Sequence, residues 1–134
     1  MSQENVDVVR RGWEAWIKGD LDALFAVFDP AVEWDTTHFQ WPEDAVYHGH
    51  AGVRRFFEEW LASWERYAAG VDEYLDAGGD CVVVLCWQQG YGPGSEVPVH
   101  MDWAQVCRLK DGLVWRMEAW TDRGEALEAA GLRE

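Results

Sequence analysis

Positive charges, long hydrophobic runs and cysteines are all scarce in this sequence. Its 134 residues include 11 lysines and arginines against 25 aspartates and glutamates, which gives a formal net charge of −14. A chain with this charge repels nucleic-acid phosphates and anionic lipid surfaces, so composition argues against both partners. No apolar run approaches the length that a membrane-spanning helix needs. We therefore expect no nucleic acid and no membrane among the partners.

The cysteine count is odd. Cys81, Cys86 and Cys107 lie within apolar, alternating segments, which is typical of buried free thiols in a reducing compartment. The first residues, MSQENVDVVRR, hold acids and polar residues where a signal peptide has a basic flank and an apolar block. These features predict a cytoplasmic protein.

The usual residue patterns of cofactor and metal sites are missing from the sequence. Asp35, His38, His48 and His50 offer nitrogen and oxygen ligands, but they lack the helical histidine pair and the cysteine spacing of zinc sites. The glycine-rich segment GYGPGSE joins two expected strands instead of opening a helix, so its glycines are turn residues. We therefore expect no metal and no cofactor.

Tryptophan, by contrast, is abundant, with ten residues in the chain. An indole ring needs a large space in the interior, and its N–H group usually has a hydrogen-bond partner. So many tryptophans in a small domain suggest an interior lined with aromatic rings, although core and interface packing could accommodate most of them.

Helical periodicity predicts three helices in the first half of the chain and a short one at its end. The first has apolar residues at every third or fourth position until Gly19 ends it. Asp20 can cap a short second helix that stops at Pro30. Residues 51–67 carry an apolar stripe opposite a charged face and form the third helix. The segment DRGEALEAAG forms the last.

Strands dominate the rest of the sequence. AVEWDTTHF alternates in polarity and is an expected strand, and four later strands are separated by the turn segments AGGD, GYGPGSE and KDG. Those four strands are expected at about 71–77, 80–90, 97–109 and 113–121. Helices followed by antiparallel strands indicate a single α+β domain over residues 1–134, with the helices packed on one face of the sheet.

Three segments carry a family resemblance. VVRRGWEAWIKGDLDALFAVFDPAVEW joins a helix, a Gly-Asp turn, a second helix and an Asp-Pro stop. YHGHAGVRRFF is a glycine-containing entry to the third helix, and AQVCRLKDGLVWRMEAWTDRGEAL is a hairpin with the closing helix. In order and spacing they resemble the SnoaL-like (polyketide-cyclase-like) branch of the nuclear-transport-factor-2-like superfamily, across essentially the whole chain.

The resemblance implies a cone-shaped, cystatin-like α+β barrel, in which a curved antiparallel β-sheet wraps around N-terminal helices and leaves a pocket at the open end. It also implies a homodimer formed through sheet surfaces, here the outward face with Arg116, Glu118 and Trp120. The family includes ketosteroid isomerases, epoxide hydrolases, polyketide cyclases, dehydratases and non-catalytic binding or scaffold proteins. The fold alone therefore does not define the function.

The hairpin WAQVCRLKDGLVWRMEA contains two alternating runs around a tight Lys-Asp-Gly turn. The resemblance implies that one alternating set of side chains in this hairpin faces the pocket. The alternative is that these side chains are ordinary core. One of the adjacent Gln88 and Gln89 also faces inwards and would add a neutral hydrogen-bonding group. Aromatic residues outside the hairpin join this set, although each could also be core. For a small apolar or aromatic ligand, the expected substrate-binding residues are Trp16, Trp34, Tyr47, Trp60, Met101, Trp103, Gln105, Trp115 and Met117.

The catalytic positions of the related enzymes hold other residues here. The resemblance places Gly12 at the tyrosine and Gln105 at the acid of the isomerases' oxyanion hole, and a glutamine is no strong acid donor. It places Ala119, which has no proton to give, at the acid of the epoxide hydrolases and cyclases. The catalytic carboxyl groups of the related enzymes are therefore absent from these positions.

Asp35 and His38 remain as the candidate catalytic residues. His38 shares strand parity with Trp34 and Thr36, which would turn it towards the pocket mouth, and a histidine near an acid suits proton transfer at neutral pH. In a regular strand the two side chains point to opposite faces, so a working pair requires a bulge or a strand that ends before His38. A solvated Asp35 and a surface His38 are the alternative.

Two functional interpretations follow. The first is an enzyme that acts without a cofactor, as a lyase, isomerase or hydrolase, on an apolar or aromatic compound. The second is a non-catalytic ligand-binding or dimerisation module. They differ in whether Asp35 and His38 meet at the pocket.

Overall fold

The computed structural model describes residues 2–39 and 45–132. The expected loop QWPEDAVYHG begins with residues 40–44, which lie outside the described part. None of the helices in the described ranges combines the length and the apolar character that crossing a bilayer would need. The helices are α1 Ser2–Lys18, α2 Leu21–Phe25, α3 Gly49–Ala62 and α4 Arg123–Ala129. The strands are β1 Phe28–Asp35, β2 Val46–His48, β3 Arg66–Gly78, β4 Cys81–Tyr91, β5 Val99–Lys110 and β6 Leu113–Trp120.

The end of the first helix and the start of the second lie where the sequence predicts, but the second helix ends earlier than expected. Helix α1 buries Val9 and Trp13 on one face and ends before Gly19, whose φ of +76° glycine adopts without strain. Asp20 then caps α2 by accepting a hydrogen bond from the backbone N–H of Ala23 at 3.1 Å. The boundary at Gly19 and Asp20 is confirmed, whereas α2 ends at Phe25 and the expected stop, Pro30, lies within strand β1.

The strands form one curved sheet in the order β2-β1-β6-β5-β4-β3. Neighbouring strands are antiparallel except for β1 and β6, which run parallel. Register shifts interrupt three of the strand pairs, and such irregularities bend and twist a sheet. Because β2 and β3 are its two edges, the sheet stays open and does not close into a barrel. The expected α+β class, with N-terminal helices on a curved sheet, is confirmed.

Both faces of the sheet are covered, by different helices. The larger hydrophobic cluster lies on the inner face, between the sheet and α1, α2 and α3. On the outer face, Ala126 of α4 packs with Val83 and Val106. The expectation that all helices pack on one face is therefore wrong for α4. Strand β4 carries apolar side chains on both faces: Val82 and Val84 are buried on the inner face, and Val83 is buried on the outer face. Helix α4 covers the outer apolar surface.

Two of the element boundaries that differ from the sequence-based expectation affect the candidate site. Strand β1 ends at Asp35, and the chain then turns, with the Phe39 N–H donating to the Thr36 carbonyl at 3.0 Å. Helix α3 ends before Tyr67, which pairs with Gly90 in the β3–β4 ladder. Tyr67 therefore belongs to the sheet and not to the helix, because strand pairing satisfies its backbone groups.

Candidate functional site

A cavity of about 230 Å³ lies between the inner face of the sheet and helices α1, α2 and α3. Every strand of the sheet contributes to its wall, which is rich in aromatic rings. The exposed wall residues Glu59 and Ser63 mark its mouth at the C-terminal end of α3. Small-molecule sites commonly enclose about 300–1,000 Å³, so this cavity suits a small ligand.

The structure places most of the expected contact residues at this wall. They come from α1, α3 and four strands, and their rings contact one another at steep angles, as between Trp34 and Trp103 with centroids 6.4 Å apart. The expected residues that line the cavity are Trp16, Trp34, Tyr47, Trp60, Trp103, Gln105 and Met117.

Trp115 does not line the cavity, which corrects the expectation for this residue. The register between β5 and β6 shifts between Arg108 and Leu109. Leu109 pairs with Val114, so the bulge leaves Trp115 without a residue opposite it and changes which side chains face inwards. Val114, at 2% exposure, takes its place at the wall, and Trp115 stays half-buried elsewhere.

Gln88, not Gln89, is the glutamine that faces the cavity. Its Oε1 accepts a hydrogen bond from the Tyr67 hydroxyl at 2.6 Å, and its Nε2 lies 4.0 Å from the sulfur of Met101. Met101 packs against the inner cluster without reaching the wall, which corrects its expected role as a direct contact. Tyr67 is a wall residue that the sequence-based reasoning missed, because its spacing from the α3 stripe continues a helical pattern.

The buried polar groups of the wall are neutral. Burial raises the pKa of Tyr67 to about 12, against the opposing effect of hydrogen bonds with Trp16 and Trp60, so its hydroxyl is protonated at neutral pH. Gln105 Oε1 accepts from Trp13 Nε1 at 2.9 Å and lies 3.1 Å from the thiol of Cys107. These groups can orient a ligand, but they carry no charge.

Unlike Trp13, three tryptophans at the wall have an indole N–H group without an acceptor in the described part of the chain. The Nε1 atoms of Trp34, Trp64 and Trp103 are buried, and within residues 2–39 and 45–132 they have no hydrogen-bond partner. The sequence pattern predicts that Trp64 lies in the apolar stripe of the third helix. The composition indicates that so many indoles need partners, but only the structure shows which of them lack one.

Asp35 and His38 meet, but outside the cavity. Because β1 ends at Asp35, the chain turns and brings His38 Nε2 within 4.0 Å of Asp35 Oδ2. The His38 ring stacks on Trp120, with centroids 3.8 Å apart, and neither Asp35 nor His38 lines the cavity. The inward orientation expected for His38 is therefore wrong, since strand alternation stops where the strand stops. The pair therefore contributes no side chain to the cavity wall.

Asp35 belongs instead to an ion-pair network on the outer face. The Arg116 guanidinium donates to Asp35 Oδ2 at 2.6 Å, to Glu118 at 3.2 Å and to Glu33. Burial raises the pKa of Asp35, but two hydrogen bonds from Thr37 and the charge of Arg116 together hold it below its ordinary value. Asp35 is thus an ionised carboxylate that ties β1 to β6.

The described residues offer little for a metal ion. Across residues 2–39 and 45–132, no group of three or more histidine, cysteine, aspartate or glutamate side chains is placed to hold one. Glu59 is the one carboxylate among the described residues at the cavity wall, and it lies at the mouth. The wall can therefore supply aromatic surface and neutral hydrogen-bonding groups.

The profile of the SnoaL-like domain family matches residues 9–117, whereas no curated protein matches the sequence. Several solved structures share the fold at low sequence identity. An NTF2-like protein of unknown function from Burkholderia pseudomallei is 22% identical, with a TM-score of 0.78 over 93% of this chain and 95% of its own. TerC, co-crystallised with polyporic acid, is 20% identical, with a TM-score of 0.77 over 96% and 98%. A hypothetical protein with a ketosteroid isomerase-like fold from Catenulispora acidiphila, in complex with trimethylamine, is 17% identical, with a TM-score of 0.73 over 93% and 92%.

Proposed function

Because the chain belongs to the SnoaL-like domain family, we propose that it binds a small apolar or aromatic molecule in the cavity between the sheet and helices α1–α3. The observation that carries this proposal is the composition of the wall, where aromatic rings surround the neutral groups of Tyr67, Gln88 and Gln105. Burial of apolar surface supplies affinity in such a site, and a few polar groups fix the orientation of the ligand.

Two of the structurally similar proteins support a small organic ligand. TerC was co-crystallised with polyporic acid, and the Catenulispora acidiphila protein is in complex with trimethylamine. Their low identity makes this an analogy at the level of the fold. The residues proposed to contact the ligand are Trp16, Trp34, Tyr47, Trp60, Trp103, Gln105 and Met117.

Binding without catalysis is the function that the geometry favours. The side chain of Glu59 is 69% exposed and pairs with Arg55 at 3.4 Å, so it is poorly placed for proton transfer to a buried ligand. Asp35 and His38, the candidate acid–base pair, lie outside the cavity. A cofactor-free lyase, isomerase or hydrolase is the second candidate. Tyr67 favours it, because a substrate oxygen that displaces Gln88 Oε1 would accept a hydrogen bond from its buried, protonated hydroxyl.

We also propose that the protein is a homodimer and acts in the cytoplasm. The outer face of the sheet supports the first statement, because aromatic Trp120 lies there among charged side chains. The three cysteines support the second, since all are free and buried, as expected in a reducing compartment.

A thermal-shift screen of small, neutral aromatic compounds tests the binding function. A ligand that binds the folded state stabilises it, by about 2.7 kcal/mol at a concentration of 100 times its Kd. For a domain of this size that corresponds to a rise of several degrees in Tm. We expect such a rise with flat aromatic compounds of one to three rings. A screen in which none of them changes Tm would contradict the proposal.

A further inference from the structure

Three residues that line the cavity carry buried indole N–H groups without an acceptor in the described chain. They belong to Trp34 on β1, Trp64 after α3 and Trp103 on β5, and all three residues line the cavity. Trp34 and Trp103 are 5% and 6% exposed, so bulk water does not reach their side chains freely. Within residues 2–39 and 45–132, no other buried side-chain nitrogen or oxygen lacks a partner.

Two other indoles have acceptors. Trp13 at the same wall donates to Gln105 Oε1 at 2.9 Å, and Trp120 on the outer face donates to Glu118 Oε1 at 3.3 Å. Because burial removes the water that an N–H group would otherwise bind, an indole without an acceptor destabilises the folded protein. The concentration of such groups at one cavity is explained if an occupant supplies the acceptors.

The three donors lie towards two ends of the cavity. Trp34 and Trp103 are neighbours in the buried part, with ring centroids 6.4 Å apart. Trp64 lies at the mouth beside exposed Ser63, and its ring contacts that of Trp60 with centroids 5.6 Å apart. An occupant that satisfies all three donors therefore presents acceptors at both of its ends.

The wall also selects for a neutral occupant. None of the described residues that line it is a lysine or arginine, and the formal net charge of the chain is −14. An anion would lose its water without gaining a cation. An indole N–H only donates, so a ligand group that only donates finds no partner there. Gln105 Nε2, which reaches the weakly accepting sulfur of Met117 at 3.8 Å, is a further donor in the same wall.

We propose that the occupant is a neutral aromatic compound with acceptor oxygens at both ends, bound by Trp34 and Trp103 in the buried part and by Trp64 at the mouth. This inference rests on the proposed function and names the class of its ligand. Quinones and related aromatic carbonyl compounds belong to this class, because they combine a flat apolar body with carbonyl oxygens on opposite edges.

The test compares two probes of the same shape. One is a para-naphthoquinone whose reactive ring positions are both methylated, and the other is the dimethylnaphthalene with the same rings and methyl groups. Isothermal titration of the full chain should show that the quinone binds about tenfold or more tightly than the hydrocarbon, since only the quinone offers acceptors. Equal affinity would overturn acceptor recognition and leave binding in the cavity intact. Absence of binding by either probe would overturn the proposed function as well.

Single substitutions identify the donors. Trp34→Phe, Trp64→Phe and Trp103→Phe each remove one N–H group and keep an aromatic ring, so each should reduce the ratio of quinone to hydrocarbon affinity. Trp120→Phe is the matched control, because its N–H group is bound by Glu118 outside the cavity. Ratios that stay at the wild-type value in all three cavity variants would overturn the assignment.

A spectroscopic readout on the wild-type protein covers the case in which a variant does not fold. In nitrogen–proton correlation spectra, the indole N–H signals of Trp34, Trp64 and Trp103 should move downfield when the quinone binds. They should not do so with the hydrocarbon, and the Trp120 signal should stay in place with both probes. Downfield shifts confined to other indoles would contradict the proposal.

Discussion

Trp34 and Asp35 are consecutive residues of β1, yet they act on opposite faces of the sheet. The Trp34 ring lines the cavity, whereas the Asp35 carboxylate accepts hydrogen bonds from Arg116 and Thr37 on the outer side. The sequence predicts this separation for a regular strand. It does not show that His38 joins Asp35 rather than Trp34, because that depends on where the strand ends and on the stacking partner Trp120.

Asp35→Asn should destabilise the protein at neutral pH. The variant loses the charge that pairs with Arg116 inside a largely buried network, so we expect a decrease of about 1–3 kcal/mol in the free energy of unfolding. The pKa of Asp35 is lowered below 3.8 in the folded state, so its contribution is present above that pH and is lost as pH falls through the folded-state pKa. The difference between wild type and variant should therefore shrink in acid. Urea denaturation near pH 7 and below pH 3.8 measures it.

Asp22→Asn is the control for this prediction. Its ion pair with Arg54 is short, at 2.9 Å, but the Asp22 side chain is 88% exposed, and exposed pairs contribute little to stability. We expect a change well below that of Asp35→Asn at every pH. If the two variants lose equal stability, or if the deficit of Asp35→Asn does not depend on pH, the role given to Asp35 is wrong.

At the scale of helices and strands, the hairpin of β5 and β6 shows what a sequence pattern can predict. Alternation, read with the family resemblance, predicts that Trp103, Gln105 and Met117 face the pocket, and these residues line the cavity wall. It fails at Trp115, because the register shift depends on pairing between strands and leaves no local signal in a single strand. The predicted end of α3 is wrong for a similar reason. Trp64 and Tyr67 continue a helical spacing, but α3 ends at Ala62, and pairing with Gly90 of β4 places Tyr67 in β3.

Gly90 should be required for the position of Trp64. A Cβ atom at Gly90 would lie 2.6 Å from the Trp64 ring and 3.1 Å from the backbone oxygen of Arg66. Gly90→Ala therefore displaces the indole at the cavity mouth, and we expect a loss of about 1–3 kcal/mol in the free energy of unfolding. Quinone affinity should fall in parallel if Trp64 contacts the ligand. Thermal unfolding and titration of the same variant measure both effects.

Gly52→Ala provides the comparison. Gly52 lies within α3, and a Cβ atom there meets nothing within 4 Å. Alanine is the better helix former, so this variant should gain about 0.5–1 kcal/mol and keep its affinity for the quinone. A Gly90→Ala protein that is as stable as wild type would show that the contact with Trp64 is not tight in solution.

At the scale of the whole molecule, the chain separates a binding face from a structural face. The inner face of the sheet and helices α1–α3 enclose the cavity, and α4 with the Arg116 network covers much of the outer face. Element order and the family resemblance predict the fold class. They do not predict that α4 crosses to the outer face, because the order of elements does not determine which face of the sheet a terminal helix covers.

The proposed homodimer is a property at this scale. Sedimentation equilibrium should give twice the chain mass of 15.4 kDa at micromolar concentrations. The physical reason is that an aromatic residue on an open sheet face, such as half-buried Trp120, gains further burial in an interface. A single species of 15.4 kDa over the whole concentration range would show that the chain works as a monomer.

Filling the cavity with a larger side chain tests whether a small molecule binds there. Ala119 lines the wall and is 2% exposed, so Ala119→Phe should place a ring in the ligand's space. Ala68→Phe makes the same change at an exposed position of β3, opposite Gln89. Both proteins, with folding verified by circular dichroism, are titrated with the dimethyl naphthoquinone and with the hydrocarbon. Ala119→Phe should weaken quinone binding at least about tenfold, whereas Ala68→Phe should bind the quinone like wild type. Undiminished binding by a folded Ala119→Phe protein would show that the ligand lies elsewhere and would contradict the account.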